Sequence, residues 1–269
     1  MQQQIVIDVP PEIYITPEII EGIKEFVRDG YFSELLSLDD ISEYEQRIAQ
    51  LITEDDEPVD NIFSERQQKF LTQTLYSSWK PMTESGEPRT FFSAANIGLY
   101  GKLEFVVNPI VPDVLVSLDV TAPENVREKK HRSYMIWEFG KAPELVLEIV
   151  SNKKGDELAG KMKKYARLGI EYYVVFDPTR FLSDEVLRVY EKSPGNGYQV
   201  REDFFVPALN LSLKLWHGEF EGIEDDWLRW ADENGNFLIT SEERAESAEE
   251  RAAKLAEKLR ELGINPNEI

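Results

Sequence analysis

Two carboxylates stand out because each lies at or inside a run of apolar residues. Asp113 directly precedes the apolar segment 114–116, and Glu148 lies within the run 145–150. Burying an unpaired carboxylate costs several kcal/mol, so Glu148 requires a cationic partner, contact with solvent at a cleft, or a proton. The alternative is an edge strand from which Glu144 and Glu148 both face water.

The segment that follows Glu148 supplies cations. A helix between residues 151 and 169 would bring Lys161, Lys164 and Tyr165 onto one face, since residues three and four positions apart are helical neighbours. This helix must pack back on the strand that it follows. Two carboxylates on neighbouring strands, with one such ammonium, form a site for a hard divalent cation and a phosphate.

The charge distribution is uneven along the chain. The 269 residues have a net charge of -21, which argues against coating nucleic acid with the whole surface. Residues 1–66 contain 17 acidic and four cationic residues, whereas residues 127–167 contain 11 cationic and six acidic residues. The basic segment is suited to an anionic substrate; the alternative is a solvated, lysine-rich helix face.

Composition excludes several kinds of site. The chain has no cysteine and two histidines, His131 and His217. Disulfides, thiolate zinc sites, thiol nucleophiles and multi-histidine metal sites are therefore excluded, and any metal site must be built from oxygen ligands. The first residues lack a basic segment followed by an apolar core, and no apolar run is long enough to span a membrane. We expect a cytoplasmic protein without a membrane span.

Periodicity predicts an α/β fold with a mixed sheet. Helical spacing is seen in much of the acidic segment 1–60 and again over 61–79. Short β-like runs then begin at residue 90, and their predicted bounds are 90–92, 103–108, 114–118, 144–150, 172–176, 186–190 and 198–201. The predicted domains are a mostly helical acidic extension (1–60), a central domain with the mixed sheet (61–215) and an acidic linker with a C-terminal amphipathic helix (216–269).

The C-terminal helix is predicted to begin after a cap at Thr240 or Ser241. Its apolar residues have the alternating spacing of three and four that is typical of a coiled coil; they are Ala245, Ala248, Ala252, Leu255, Leu259 and Leu262. We expect a homodimer aided by this helix. The alternative is an exposed helix whose charged side chains form ion pairs.

The combined motifs resemble the PD-(D/E)XK nuclease superfamily and, within it, the Uma2 family of restriction-endonuclease-like proteins, which is numerous in cyanobacteria. The stretches that carry the resemblance are Pro112-Asp113, the strand 144–151, Asp156 with Lys161 and Tyr165, the segment 169–178, and residues 132–138. The resemblance extends from about residue 61 to residue 198. It implies a restriction-endonuclease-like core, a mixed sheet flanked by helices, and Mg²⁺-dependent hydrolysis of DNA phosphodiesters.

The resemblance also implies roles for individual residues. Asp113 and Glu148 correspond to the carboxylates that bind Mg²⁺, or Mn²⁺ in its place. Val150 occupies the position of the usual superfamily lysine, and relatives of this kind take the lysine from the following helix. Lys161 is the first candidate for that lysine and Lys164 the second. Glu65 is a candidate additional carboxylate on the preceding helix, where Gln67 and Gln68 compete with it in register.

Two other functions are compatible with these residues. A catalytically inactive nuclease-like fold that binds nucleic acid or protein is favoured by Val150 and by the overall acidity. Glycoside hydrolysis by two carboxylates is a further alternative, but the neighbouring lysines suit a phosphate better than a sugar.

Overall fold

The computed structural model of the protein describes residues 61–101, 109–151, 157–195, 197–261 and 265. The described residues divide into two compact units, of which the smaller comprises those within 98–109 and 125–142 and the larger those within 61–97, 110–124 and 143–265. The predicted helical extension 1–60 and the predicted strand 103–108 lie outside the described residues. In the part of the chain that is described, no helix combines the length and apolarity needed to cross a membrane.

The structure contains the following elements among its described residues. The helices are α1 (Ile62–Ser78), α2 (Ile136–Phe139), α3 (Met162–Leu168) and α4 (Ser241–Glu261). The strands are β1 (Phe91–Ala95), β2 (Leu99–Tyr100), β3 (Val114–Leu118), β4 (Tyr134–Met135), β5 (Leu145–Ile149), β6 (Tyr172–Phe176), β7 (Leu187–Ser193), β8 (Gly197–Val200), β9 (Phe205–Val206), β10 (Leu211–Phe220) and β11 (Ile223–Ala231).

A six-stranded sheet in the larger unit confirms the predicted α/β class. Its order is β1-β3-β5-β6-β7-β8. Strands β5 and β6 are parallel and the other neighbours are antiparallel, so the sheet is mixed. Parallel strands need a crossover connection, and α3 lies in the connection between β5 and β6. The central strands are apolar along nearly their whole length because both faces of the sheet are covered.

Helix α1 packs against one face of this sheet. Asn61 caps the helix, and its side chain accepts a hydrogen bond from the Ser64 amide at 2.9 Å; the helix ends before Pro81. Leu71 and Leu75 of α1 belong to a buried cluster with the residues of β3, β5 and β6 that point to this face. Gln68 lies one turn before Leu71 on the same side of the helix, which carries its amide to the start of β3.

The segment after residue 215 corrects one prediction. Residues 216–231, expected to form an acidic linker, are mostly strand, because β10 and β11 pair as a hairpin. Trp227 and Trp230 are fully buried, and the Trp230 indole donates a hydrogen bond to the Leu71 carbonyl at 3.1 Å. The acidic residues 224–226 lie at the exposed end of the hairpin. Because these acidic residues dominate the local composition, the segment was predicted as a linker, and the buried strand residues that follow them were not recognised.

A pair of hydrogen bonds joins α1 to the hairpin. The Gln67 amide donates to the Leu228 carbonyl at 2.9 Å and accepts from the Leu228 amide at 2.8 Å. Gln67 is fully buried, so it satisfies backbone groups that would otherwise lack partners. Gln67 therefore has a structural role that distinguishes it from its neighbour Gln68.

Helix α4 is attached to the larger unit through its first turn. The Thr240 hydroxyl accepts from the Glu243 amide, and the Glu243 carboxylate accepts from the Thr240 amide, which is a capping box. The buried Arg229 guanidinium binds the Glu243 carboxylate through two nitrogens, at 2.9 and 2.8 Å. The predicted cap and helix are confirmed. No residue of α4 is buried.

The smaller unit has a short parallel pair, β2 with β4. The Tyr134 amide donates to the Gly98 carbonyl at 2.8 Å. The Tyr134 ring stacks on Phe139 with centroids 4.1 Å apart, and its hydroxyl donates to the Lys141 carbonyl. Gly140, with a φ of 77°, ends α2 in the left-handed conformation that favours glycine.

Candidate active site

Asp113 and Glu148 lie opposite each other on adjacent strands. Strands β3 and β5 are antiparallel, and Val114 is the partner of Leu147. Extending this register by one position places Asp113 opposite Glu148. Side chains that face each other across an antiparallel pair have Cβ atoms about 5 Å apart. The two carboxylates that the sequence singled out are therefore brought to one place by the sheet.

The Asp113 carboxylate is fixed by neutral donors. Its Oδ2 accepts a hydrogen bond from the Ile149 amide at 2.5 Å, and its Oδ1 accepts from the Gln68 Nε2 at 2.8 Å. Asp113 is 8% exposed. The Gln68 and Ile149 donors orient the carboxylate without adding a positive charge to it.

The Glu148 carboxylate has an ammonium and a phenol as partners. Lys161 Nζ is 2.8 Å from Oε2, and the Tyr165 hydroxyl donates to Oε1 at 2.5 Å. Glu148 is only 2% exposed and lies in a central strand. The alternative of an edge strand with Glu148 facing water is therefore wrong. The expected cationic partner is present, and it is Lys161.

The connection between β5 and β6 delivers both partners of Glu148. A π-helical turn spans Glu157–Lys161 and leads directly into α3. Lys161 and Tyr165 are four residues apart and therefore point to the same side. The Tyr165 ring contacts the Tyr173 ring of β6, with centroids 5.2 Å apart, which holds α3 on the sheet. Gly169 ends the helix with a φ of 84°, a conformation that favours glycine.

The environment of Tyr165 keeps its hydroxyl protonated. Burial, followed by the negative charge of Glu148, raises the pKa of the Tyr165 phenol well above its ordinary value. A neutral phenol is a hydrogen-bond donor. Tyr165 therefore remains a donor to Glu148 throughout the physiological pH range.

The two further candidate residues lie elsewhere. Lys164 is exposed on α3, so the structure brings Lys161 and not Lys164 to Glu148. Glu65 is exposed on α1, where its carboxylate pairs with Arg66 at 2.7 Å. Glu65, Gln67 and Gln68 were the α1 residues considered for a place at the site. Of these, Gln68 is the one that contacts Asp113. Gln68 precedes Leu71 by three residues and Leu75 by seven, a helical spacing that places it on the same buried side of α1. This spacing could have identified Gln68 from the sequence.

Asn96 is the site residue that sequence reasoning missed. Its side-chain Nδ2 donates to the Gln68 Oε1 at 2.8 Å. Asn96 directly follows β1 and has a φ of 50°, which Asn tolerates better than most residues do. No local pattern indicates a contact with Gln68, which is 28 positions away.

Val150 is buried and pairs with β6. Its amide donates to the Phe176 carbonyl at 2.8 Å. The superfamily motif has a lysine at this position. Among the described residues, the ammonium that contacts Glu148 comes from Lys161, which follows β5 in the chain.

The donor types at this site fit a hard divalent cation. No group of three or more acidic or histidine residues suited to a metal occurs within the described segments. Mg²⁺ commonly binds through one or two carboxylates and completes its coordination with water and substrate phosphates. Asp113 and Glu148 supply that number of carboxylates, so the chemistry of the pair fits Mg²⁺ or Mn²⁺.

Comparison with protein families gives one match. The Uma2 family model, described as "Putative restriction endonuclease", matches residues 43–216. The match covers more than half of the chain and includes all six side chains described at the candidate site, which are Gln68, Asn96, Asp113, Glu148, Lys161 and Tyr165. Neither the curated proteins nor the solved structures gave a significant match. The resemblance to Uma2 is confirmed over these residues.

Proposed function

Because this chain belongs to the Uma2 family of restriction-endonuclease-like proteins, we propose that it is a metal-dependent endonuclease that hydrolyses DNA phosphodiesters. The observation that carries the proposal is the meeting of Asp113, Glu148 and Lys161 at one end of the sheet. The Lys161 ammonium lies 2.8 Å from the buried Glu148 carboxylate, and Asp113 lies opposite Glu148. Two carboxylates and an ammonium suit the chemistry of phosphoryl transfer.

Asp113 and Glu148 are the residues that would hold the cation. When bound, Mg²⁺ supplies Lewis-acid stabilisation of the phosphoryl oxygens and activates water. Gln68 and the Ile149 amide keep the Asp113 oxygens in a fixed orientation. Tyr165 does the same for one Glu148 oxygen, which limits reorganisation of the site during the reaction.

Lys161 is the group that would meet the negative charge of the substrate. Its side chain is 30% exposed, although the carboxylate that it contacts is buried. The Lys161 side chain is therefore partly accessible to solvent, from which a phosphate can approach. In this position it would stabilise charge on a phosphoryl oxygen or orient the attacking water.

The surface of α3 supports a polyanionic substrate. Lys163, Lys164 and Arg167 are exposed on the same helix as Lys161. These three residues add positive charge next to the candidate site, although the protein as a whole has a net charge of -21. Cations near the candidate site attract phosphates, and this attraction weakens as the salt concentration rises. We expect DNA binding that weakens steeply with salt concentration.

Cleavage of mixed-sequence DNA tests the proposal. Genomic DNA is a better substrate than one plasmid, because it presents many sequences to an enzyme of unknown specificity. Incubation of the protein with Mg²⁺ or Mn²⁺ is expected to shorten this DNA, and EDTA is expected to stop the reaction. DNA binding that is insensitive to EDTA and occurs without any cleavage would contradict the proposal. That result would favour the inactive binding fold, for which Val150 is the supporting observation.

Self-association is a separate proposal and rests on α4. The helix projects from its anchored first turn with Leu255 60% exposed. In a parallel pair of helices the heptad would set Arg244 of one copy against Glu249 of the other, which are opposite charges. An antiparallel pair would bring cationic positions together. We propose a second copy of this chain as the partner of the helix.

Replacing Leu255 and Leu259 together with aspartate is expected to convert the dimer to a monomer, because the apolar seam would then carry like charges. Light scattering coupled to gel filtration measures the mass. The matched control replaces Glu250 and Glu257, on the opposite side of α4, with glutamine and is expected to remain dimeric. A monomeric wild-type protein, or a dimer that survives the aspartate substitutions, would contradict the role of α4.

A further inference from the structure

Gln68 and Asn96 form a chain of side-chain amides behind Asp113. Asn96 Nδ2 donates to Gln68 Oε1 at 2.8 Å, and Gln68 Nε2 donates to Asp113 Oδ1 at 2.8 Å. Gln68 is 3% exposed, so its amide is held in place by packing as well as by hydrogen bonds. The chain joins α1, the end of β1 and the start of β3.

The direction of these hydrogen bonds follows from the chemistry of the groups. An ionised carboxylate accepts hydrogen bonds and cannot donate them. Asp113 therefore requires the Nε2 side of the Gln68 amide, which turns Oε1 toward Asn96. Asn96 must then be a donor. An aspartate at position 96 would have no hydrogen to offer and would favour the reversed Gln68 amide.

From this geometry we infer that Gln68 is a positioning residue for the cation-binding carboxylate Asp113, and that Asn96 sets the orientation of Gln68. The inference rests on the proposed function, since it gives Asp113 the role of a cation ligand. Gln68 fixes Oδ1 as the Ile149 amide fixes Oδ2. Groups that orient ligands in this way typically change metal affinity or activity by about 10- to 100-fold when removed.

Two substitutions test the hydrogen bonds that link Asn96, Gln68 and Asp113, one at Gln68 and one at Asn96. Gln68→Met keeps the length of the side chain and removes both hydrogen-bonding groups. Asn96→Asp keeps the shape of the side chain, and aspartate also tolerates positive φ. This change removes the donor and adds a negative charge. Added negative charge by itself would strengthen cation binding, whereas loss of orientation weakens it, so the two explanations predict opposite results.

The measurement is Mn²⁺ binding to the full-length protein by calorimetry, with thermal unfolding recorded for every variant. Both substitutions are expected to weaken Mn²⁺ binding by about 10- to 100-fold. The control is Gln67→Met, which removes a neighbouring buried amide whose hydrogen bonds are to the Leu228 backbone. It is expected to lower the unfolding temperature and to leave Mn²⁺ affinity within about twofold of wild type.

Kinetics give a second readout that a general loss of stability would not produce. Gln68 acts through Asp113 and not through the substrate. Gln68→Met is therefore expected to lower kcat for DNA cleavage, with little change in KM at saturating metal. Unchanged Mn²⁺ affinity in Gln68→Met, or tighter binding in Asn96→Asp, would overturn the inference.

Different results would contradict the positioning role of Gln68 and the proposed endonuclease activity. A protein that binds Mn²⁺ through Asp113 but cleaves no DNA contradicts the endonuclease and leaves the positioning role to be judged by affinity. Normal cleavage and normal Mn²⁺ binding by Gln68→Met contradict the positioning role and leave the endonuclease intact. If Asp113→Asn has no effect on Mn²⁺ binding, both are wrong.

Discussion

Replacing Glu148 with glutamine is expected to lower the rate of Mg²⁺-dependent DNA cleavage by about 1,000-fold or more. Glutamine keeps the shape of the side chain but removes the negative charge that would hold the cation opposite Asp113. It also replaces one of the two oxygens that accept hydrogen bonds from Lys161 and Tyr165. Quantitative gel analysis of DNA cleavage over time measures the effect.

Glu144 provides a matched control on the same segment. Its carboxylate accepts a hydrogen bond from the Leu118 amide at 2.8 Å and is partly exposed. Glu144→Gln retains an oxygen for this bond and is expected to cleave DNA within about threefold of wild type. Equal activity of Glu148→Gln and wild type would show that cleavage does not depend on this carboxylate.

Replacing Lys161 with methionine is expected to affect both activity and stability. The change keeps the apolar stem of the side chain and removes the ammonium that contacts Glu148. Loss of a group that stabilises or relays charge in the reaction typically lowers kcat by about 100- to 10,000-fold. DNA cleavage at saturating Mg²⁺ measures this part of the effect.

Stability should fall in the same variant. Removing one partner of a fully buried ion pair costs about 3–5 kcal/mol. Lys161 is 30% exposed, so water can replace part of its contact, and we expect a loss of about 1–3 kcal/mol in the free energy of unfolding. Urea unfolding in EDTA measures it without a contribution from bound metal.

The control for Lys161 is Lys164→Met, one turn along the same helix. Lys164 is exposed, and changes at such positions usually alter stability by less than about 0.5 kcal/mol. We expect near-normal kcat and weaker binding of DNA at moderate salt, since one cation of α3 is lost. If Lys164→Met abolished cleavage and Lys161→Met did not, the assignment of the lysine would be reversed.

The inactive alternative makes a different set of predictions. In a binding fold without metal chemistry, the Lys161–Glu148 pair would serve stability alone. Both substitutions would then lower the free energy of unfolding, and Mg²⁺ would stabilise neither wild type nor variants. Stabilisation of the wild-type protein by Mg²⁺ that is lost in Glu148→Gln therefore separates the endonuclease from the binding fold.

The sequence predicted much of the larger unit because local patterns control it. Continuous apolar runs located β3, β5 and β6 to within one residue at each end, helical spacing located α1, and a capping residue located the start of α4. The cost of burying a carboxylate identified Glu148 as a residue that needs a cationic partner, contact with solvent or a proton. Helical spacing limited the candidates to two lysines on one face.

The hairpin of β10 and β11 could not be recognised from local composition. Its exposed end is strongly acidic, whereas Trp227 and Trp230 are buried against α1. The partners are more than 150 positions apart in the chain. Whether an acidic, aromatic segment is a linker or part of a core depends on the surface that it meets, and that surface is formed by a distant element.

The sequence by itself limited any metal site in this protein to oxygen ligands, and it showed a strongly acidic segment 1–60 and a carboxylate, Glu148, in an apolar run. The tertiary structure decided which neighbours the carboxylates contact. It selected Lys161 over Lys164 and Gln68 over Glu65, and it added Asn96. Residue spacing fixes which side of an element a group points to, but the hydrogen bonds from Gln68 to Asp113 and from Asn96 to Gln68 span 45 and 28 positions. Such contacts form only when the helix and the strands pack together.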